Sequence, residues 1–334
     1  MFDGVQFHKL GRATQADLKR VFEKYSEDGE DGHGRFMSPK NFLVDYVGLP
    51  LECDETIKLL SSAIDTTGDG RISYNEFVAF EATLCMPDSL FRVAYQLFDQ
   101  TGHGQVGVAD CRSLLDKVDF SSHCHDIQQF NWECDYVKLY FGSDFMHKLN
   151  YDEFTQFIQG FLHQHAIQAF WANRKKLNGY VSPAAFSNIM RQIRPYQLTD
   201  WTEEHLVALA QVFNKGHNVN YAFFEAFNNL MKNMELVRRI YQSLSGNTNS
   251  YKCTKTEFMV AAQRISQLTP LEVEILFAMA DLGEADGKMT MVDIERITPF
   301  EEGVLPYNIG QTFYVYLINN FLLKSNPTKR NNSS

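Results

Sequence analysis

The chain has 334 residues, 44% of them hydrophobic and 22% charged, which is typical of a folded protein long enough for two domains. Acidic residues outnumber basic ones by 41 to 31, and the formal net charge of −10 disfavours a nucleic-acid partner, whose phosphates require a basic surface. The six cysteines include no CxxC pair, and His123-Cys124-His125 is a poor zinc site because three adjacent residues cannot all face one ion.

A short signature recurs eight times along the chain, at intervals of 32 to 43 residues. It consists of an apolar residue, a small or polar residue, three further residues and then an anchor residue, usually Phe. The apolar and anchor residues are, in chain order, Met37 and Phe42, Ile72 and Phe77, Val106 and Cys111, Leu149 and Phe154, Val181 and Phe186, Val219 and Phe224, Cys253 and Phe258, and Met289 and Ile294. Such a period indicates an array of similar units.

Each unit is predicted to be a helix, a loop and a second helix. The first helical pattern places Leu18, Val21, Phe22 and Tyr25 at i, i+3, i+4 and i+7, and a turn-rich stretch follows it. Helix-start signals come after the apolar loop residues, at Ser38-Pro39 and Ser182-Pro183, and also at Thr269-Pro270-Leu271-Glu272. We therefore predict an all-α fold, an array of eight EF-hand units in four pairs, in which apolar loop residues of neighbouring units pair.

One loop, residues 65–76, carries every feature of a calcium-binding EF-hand. The predicted ligands are the Asp65 and Asp69 carboxylates, the Thr67 hydroxyl, the Arg71 carbonyl and both carboxylate oxygens of Glu76. Gly70 occupies the sharp turn, and Ser73 stands where a ligand often acts through water. Six or seven oxygens suit Ca²⁺ better than octahedral Mg²⁺. We predict one Ca²⁺ per chain at this loop.

The other seven loops lack parts of this ligand set. The loop of residues 99–110 keeps Asp99 and Gly104, but it has His103 at the fifth position and the shorter Asp110 at the twelfth, which predicts a weak or vacant site with Mg²⁺ tolerance. The stretch 281–293 keeps acidic residues in the wrong register. These loops are predicted to be structural.

No enzyme signature is present in the sequence. Residues 102–107 match GxGxxG, but they follow a helical pattern rather than a strand, so a dinucleotide site is disfavoured. The sequence contains no P-loop, GxSxG or HExxH motif. We predict that the chain is not an enzyme.

Four stretches, together with eight units of which only the second is intact, resemble a known family: FVAFEATLCMPDSLFRVAYQLFD, FNWECDYVKLYFG, FNNLMKNMELVRRIY and ITPFEEGVLPYN. They are similar to the N-terminal EF-hand domain of the calcium-regulated mitochondrial aspartate/glutamate carriers, aralar and citrin, over roughly residues 1–308. The resemblance implies a calcium-sensing regulatory domain of the malate–aspartate shuttle, on the inner membrane and facing the intermembrane space. The ligands that it implies are Asp65, Thr67, Asp69, the Arg71 carbonyl and Glu76.

The resemblance also implies a domain organisation. Residues 1–160 would hold EF-hands 1–4 with the calcium site, and residues 161–300 would hold EF-hands 5–8 as a non-binding platform for a homodimer. The implied partner is the carrier domain of a full-length relative. Residues 301–334 form a short tail without carrier signatures, so we expect a form that lacks the carrier domain. The alternative is a free-standing calcium-dependent interaction or dimer-modulating protein without transport activity.

The tail holds the longest apolar stretch, residues 313–323. As a helix this stretch spans about 16 Å, against roughly 30 Å of hydrocarbon, so we expect no transmembrane segment in this chain. The first residues resemble neither a signal peptide nor a transit peptide. Phe313, Leu317 and Phe321 would form one helical stripe, which predicts either docking of the tail on the chain's own hands or a disordered end.

Overall fold

The computed structural model describes residues 14–29, 34–47, 54–86, 88–99, 101–116, 129–174, 179–193, 198–215, 217–246, 248, 251–265 and 268–297. The chain forms two compact units. The described part of the first unit lies within residues 14–116 and 132–159, and that of the second within 129–131 and 160–297. The tail 301–334 and His123-Cys124-His125 lie outside the described residues, and the predictions about them stay predictions.

The first unit is mainly helical, with short strands between its helices. Its helices are α1 (Gln15–Tyr25), a π-helical segment (Asn41–Tyr46), α2 (Asp54–Ser61), α3 (Tyr74–Leu84), α4 (Ser89–Phe98), α5 (Val108–Leu115), α6 (Asp135–Phe141) and the first part of α7 (Tyr151–Arg174). Its strands are β1 (Glu27–Asp28), β2 (Arg35–Met37) and β3 (Ile72–Ser73). Helix α1 begins after Thr14, whose hydroxyl accepts a hydrogen bond from the Asp17 N–H at 3.2 Å and so satisfies one free donor of the first turn.

The second unit is likewise mainly helical, with short strands between some of its helices. It contains the rest of α7, followed by α8 (Pro183–Ile193), α9 (Asp200–Phe213), α10 (Tyr221–Lys232), α11 (Met234–Ser245), β4 (Cys253–Thr254), α12 (Lys255–Ile265), α13 (Pro270–Gly283), β5 (Lys288–Met289) and α14 (Met291–Ile297). The predicted capping box at the start of α13 is present, because the Thr269 and Glu272 side chains each accept a hydrogen bond from the other residue's backbone N–H. The prediction of a mainly helical chain is confirmed.

The apolar loop residues of the signature meet in antiparallel backbone contacts. In the first unit Met37 faces Ile72, and Val106 faces Leu149. In the second unit Val181 faces Val219, and Cys253 faces Met289. All eight are fully buried; two of the contacts belong to short strand pairs and two are single antiparallel bridges, each with backbone hydrogen bonds between the two loops.

The anchor residues that follow the apolar loop residues lie in the cores of the two units. Each is at most 1% exposed: Phe42, Phe77, Cys111, Phe154, Phe186, Phe224, Phe258 and Ile294. Burial of one such large apolar side chain stabilises the folded state by about 1.5–3 kcal/mol. Aromatic contacts add to this, since the Phe77 ring lies within 6.3 Å of the rings of Phe22, Phe42 and Tyr46. The high Phe content of the chain therefore serves packing.

None of the helices in the described residues combines the length and the apolar character needed to cross a lipid bilayer.

Candidate metal centre

The loop of residues 65–76 lies between α2 and α3 of the first unit. Its strand residue, Ile72, is fully buried and faces Met37 of β2, which fixes the second half of the loop to the core. Helix α3 starts directly after Ser73, within the loop itself. The metal-ligand positions are therefore held by a strand contact in the middle and by a helix start at the end.

The Asp65 carboxylate organises the first half of the loop. Its Oδ1 atom accepts hydrogen bonds from the backbone N–H groups of Gly68 (2.8 Å) and Asp69 (3.2 Å), and its Oδ2 atom accepts one from Gly70 (2.7 Å). Gly70 has a φ of +76°, a left-handed conformation that glycine adopts without steric cost. The chain thus wraps around one carboxylate, as turns built on aspartate do.

The Glu76 carboxylate joins the two halves of the loop. Its Oε2 atom accepts hydrogen bonds from the Ser73 backbone N–H (2.9 Å) and hydroxyl (2.8 Å), while the Ser73 hydroxyl accepts one from the Glu76 N–H (3.3 Å). Its Oε1 atom accepts from the Thr66 hydroxyl, the Thr67 hydroxyl and the Thr67 N–H, all at 3.1 Å. Glu76 is only 8% exposed. This side chain is both the cap of α3 and a bridge back to the start of the loop.

Glu76 stays ionised because of these donors. Burial by itself raises the pKa of this carboxyl group, but the hydrogen bonds from Ser73 and Thr67 outweigh burial, so the pKa lies below its ordinary value of 4.5. At neutral pH the loop therefore presents a buried anion at its twelfth position.

The structure brings together three of the five predicted ligands. Thr67 donates to Asp65 at 3.3 Å and to Glu76 at 3.1 Å. The carboxylate of Asp69 turns instead to the Arg71 N–H at 2.8 Å. The Arg71 guanidinium group stacks over the Phe36 ring at 4.8 Å. Within the described ranges, no three His, Cys, Asp or Glu side chains converge as a group that could hold a metal.

The donor types nevertheless fit Ca²⁺. Two aspartates, one glutamate and one threonine provide only oxygen atoms, and Ca²⁺ takes six to eight oxygen ligands at about 2.3–2.6 Å. Two of the side-chain ligands at the ends of the loop, Asp65 and Glu76, already share the Thr67 hydroxyl. All three carboxylates accept hydrogen bonds from backbone N–H groups of the loop, and Asp69 alone among them has no hydrogen bond to Thr67 in the described residues.

The loop of residues 99–110 repeats the first half of this arrangement and the cap of the following helix, but it lacks the bridge from the twelfth position back to the start of the loop. Asp99 accepts hydrogen bonds from the backbone N–H groups of His103 (3.2 Å) and Gly104 (2.6 Å). Asp110 caps α5 by accepting from the Gly107 N–H at 2.8 Å. Asp110 is one methylene shorter than Glu76, and no hydrogen bond connects it to Asp99 or Thr101 in the part of the chain that the structure describes. Its predicted weakness as a metal site stays a prediction.

The loop of residues 281–293, whose acidic residues were predicted from the sequence to stand in the wrong register, shares part of the hydrogen-bond pattern of the 65–76 loop. In residues 281–293, Asp281 accepts from the Gly287 N–H (2.9 Å), as Asp65 does from Gly70, and Asp286 accepts from the Lys288 N–H (2.9 Å), as Asp69 does from Arg71. One extra residue separates the aspartate from the glycine, and this insertion hid the register. The sequence signal was the shared Asp-Gly-basic-apolar run, DGRI at residues 69–72 and DGKM at residues 286–289.

The end of this second loop also matches. Asp293 accepts hydrogen bonds from the Thr290 N–H (2.9 Å) and hydroxyl (2.7 Å), as Glu76 does from Ser73. Gly287 has a φ of +69°, close to that of Gly70. Residues 281–293 therefore form an EF-hand-like loop with one inserted residue.

The sequence of the chain was compared with family models and with curated proteins, and the relatives named below are mitochondrial carriers. No family model matches the chain. The chain is 45% identical over 303 residues to the mitochondrial electrogenic aspartate/glutamate antiporter SLC25A13 of Mus musculus, a match that covers 90% of this chain and 44% of the antiporter. It is 43% identical over 310 residues to the antiporter SLC25A12 of Homo sapiens, covering 92% and 45%. A probable calcium-binding mitochondrial carrier of Caenorhabditis elegans is 35% identical over 302 residues.

Solved structures give more distant likenesses. The crystal structure of EFHA2 in a Ca-binding state has a TM-score of 0.35 at 16% identity and covers 86% of this chain and 98% of EFHA2. The apo structure of the mitochondrial calcium uniporter protein MICU2 has the same TM-score and identity and covers 91% of this chain and 89% of MICU2. Neither score carries weight. The sequence matches carry the argument: mitochondrial aspartate/glutamate antiporters are homologues of this chain, and the chain spans about 44% of the length of SLC25A13.

Proposed function

We propose that the chain is a calcium-sensing module of eight EF-hand units in four pairs, with one Ca²⁺ bound by residues 65–76. The four antiparallel loop contacts support the pairing, because each joins two apolar residues at the same position of the predicted signature. The proposed ligands are Asp65, Thr67, Asp69, the Arg71 carbonyl and Glu76. When bound, calcium supplies a divalent positive charge that offsets the three carboxylates.

The observation that carries the proposal is the position of Glu76. Its carboxylate contacts both ends of the loop, and its backbone belongs to the first turn of α3, directly before the buried Phe77. Any exchange of hydrogen-bond partners at Glu76 therefore acts on the start of α3. Helix α3 also carries Glu81, which accepts a hydrogen bond at 2.8 Å from Tyr46 of the π-helical segment. A change in the 65–76 loop would thereby reach the first EF-hand, which is paired with the second.

The target of this sensing is proposed from the relatives. They are named as mitochondrial aspartate/glutamate antiporters, and the match covers nine-tenths of this chain. We infer that the chain regulates aspartate/glutamate exchange through the carrier domain of such a protein. Its place would be the mitochondrion, on the inner membrane and facing the intermembrane space. Residues 161–300 would act as a homodimerisation platform, since their loops keep the strand contacts and core anchors while lacking an intact ligand set.

Calorimetric titration of the full chain with Ca²⁺ tests the site. We expect about one Ca²⁺ per chain, with a dissociation constant of about 10⁻⁷–10⁻⁵ M, the range of sensor EF-hands. The Glu76→Gln variant should lose this binding, because one of the two glutamate oxygens becomes an amide nitrogen. The matched control is Asp110→Asn, which makes the same chemical change at the equivalent position of the 99–110 loop and should leave the binding unchanged. Two equivalent sites, or Ca²⁺ binding by Glu76→Gln equal to the unsubstituted chain, would refute the assignment.

A further inference from the structure

The 281–293 loop differs from the 65–76 loop in the charges around its acidic residues. Lys252 precedes β4, and its ammonium nitrogen lies 2.6 Å from Asp286 Oδ2 and 3.4 Å from Glu284 Oε1. Asp286 matches Asp69 in its hydrogen bonds, and Glu284 stands two residues before Asp286, as Thr67 does before Asp69. One cation therefore holds the two carboxylates that correspond to the third and fifth ligand positions.

The position of Lys252 is fixed by the fold. The next residue, Cys253, is fully buried and faces Met289 of the 281–293 loop in the β4–β5 contact. Thr254 faces Lys288 in the same contact. The strand pair thus carries Lys252 to the acidic side of the loop. The Lys252 side chain is 44% exposed, so the pair lies at the surface, where ion pairs are weak, and the fixed backbone reduces the cost of placing the lysine beside the two carboxylates.

A second cation acts at the other end of the same loop. The guanidinium group of Arg296 lies 3.4 Å from Asp293 Oδ1, so the twelfth position is also paired with a positive charge. By contrast, no lysine, arginine or histidine in the described part of the chain forms an ion pair with Asp65, Asp69 or Glu76. The two loops share their contacts at the glycine, the basic residue and the helix start, but they differ in the charges around their carboxylates.

We propose that Lys252 is the built-in cation of the 281–293 loop, and that its ammonium group takes the charge-balancing role that a metal ion has in an EF-hand. The loop keeps its shape without a metal because the paired loop supplies the positive charge. Removal of that charge should leave the Glu284 and Asp286 carboxylates without their positive partner and so favour a hard cation beside them. The hydrogen bond with Asp286 raises the pKa of Lys252 and that with Lys252 lowers the pKa of Asp286, so both groups are charged at neutral pH.

Terbium luminescence in a Glu76→Gln background tests this proposal. Terbium(III) is a hard cation that binds oxygen ligands, and Tyr251, the neighbour of Lys252, sensitises emission from ions bound close to it. The test variant is Lys252→Met, which removes the charge and keeps a similar length of side chain. Lys252→Arg keeps the charge. Lys255→Met removes a nearby lysine that pairs instead with Glu274, at 2.8 Å and outside the loop.

We expect Lys252→Met to bind terbium about tenfold or more tightly than Lys252→Arg, because a like charge beside the ion is removed. Lys255→Met should behave like the background. Equal affinities in Lys252→Met and Lys252→Arg would overturn the proposal, and so would an equal gain in Lys255→Met, which would show an effect of net charge alone. The comparison is made between variants in one background, so its outcome does not depend on whether residues 65–76 bind calcium.

Discussion

Glu76 is predicted to stabilise the first unit even when no calcium is present. Its carboxylate accepts five hydrogen bonds, from Thr66, Thr67 and Ser73. Two variants separate the contributions. Glu76→Gln keeps the length of the side chain and replaces one acceptor oxygen by a donor, whereas Glu76→Asp keeps both oxygens on a shorter chain. Asp293 shows that an aspartate at this position makes the capping contacts, since it accepts from both the N–H and the hydroxyl of Thr290.

The expected cost follows from the donors that lose an acceptor. In Glu76→Gln the amide nitrogen faces the N–H of either Thr67 or Ser73, so one backbone donor in a part-buried contact loses its acceptor and meets a second donor, at a cost of about 1–3 kcal/mol. The threonine and serine hydroxyls can rotate to accept from the new amide. In Glu76→Asp the Ser73 contacts persist and the loop contacts are exchanged for water, which costs about 0.5–1.5 kcal/mol. Glu76→Gln should therefore be the less stable variant in chelator.

The contribution of the ionised Glu76 side chain to the stability of the folded state depends on pH. The pKa of Glu76 is below 4.5 in the folded chain, so its ionised form stabilises the folded state at every pH above the unfolded pKa. This stabilisation is lost as the pH falls from about 4.5 through the folded pKa. The difference in unfolding free energy between the unsubstituted chain and Glu76→Gln should thus be constant near neutral pH and should shrink on acidification.

Urea unfolding in excess chelator, combined with hydrogen exchange of peptides that cover residues 64–84, measures these changes. The exchange data assign the loss of stability to the loop and α3, separately from the second unit. Equal unfolding free energies for the unsubstituted chain and Glu76→Gln would refute the stabilising role of the network. A larger loss in Glu76→Asp than in Glu76→Gln would refute the division between capping and loop contacts.

Two further predictions concern the wider chain. Burial raises the pKa of the half-buried Glu81 above 4.5, against the opposing effect of its hydrogen bond with Tyr46, so the folded state loses stability as the pH rises through that pKa. Glu81→Gln cannot ionise and keeps an oxygen that accepts from Tyr46, so its stability should not fall with rising pH. Urea titrations should show this variant to be more stable than the unsubstituted chain at about pH 7 and equally stable at about pH 4. A difference in stability that is the same at both pH values would contradict this reasoning. For the proposed homodimer, light scattering of the full chain should report a dimer of unchanged mass with calcium or chelator, whereas a monomer at micromolar concentrations would count against residues 161–300 as the platform.

The repeat signature predicted the mainly helical fold and the buried positions because it records a packing requirement. The apolar loop residue and the anchor residue must both be buried in each unit, whatever the loop between the helices binds. Met37 and Phe42 keep this spacing in the first loop, where the twelfth-position residue is Asn41, and so do Val181 and Phe186. A pattern that depends on burial persists where the ligand chemistry has changed.

The details that the sequence did not reveal depend on contacts between separate segments. The segment Asn41–Tyr46 is π-helical, with the Val47 N–H bonded to the Phe42 carbonyl at 2.9 Å, and six residues are too few to distinguish this winding from an α-helix by periodicity. The partner of Glu81 comes from this segment, 35 positions earlier. The register of the 281–293 loop was obscured by a single insertion, and only the hydrogen bonds of Asp281 and Asp286 reveal it.

In three of the loops without an intact ligand set, an acidic side chain is paired with a donor side chain of the protein. In the first loop the Asn41 amide donates to Glu27 at 2.7 Å, and in the fourth His147 lies 3.3 Å from both carboxylate oxygens of Glu153. In the last, Lys252 and Arg296 pair with the acidic residues. Each carboxylate thereby gains a donor from the protein, which offsets the cost of crowding negative charge in a tight loop. The 65–76 loop and the 99–110 loop both satisfy their carboxylates with uncharged donors alone, and only in the 65–76 loop does the twelfth-position carboxylate also accept from the start of the loop, which supports the proposal of a Ca²⁺ site there.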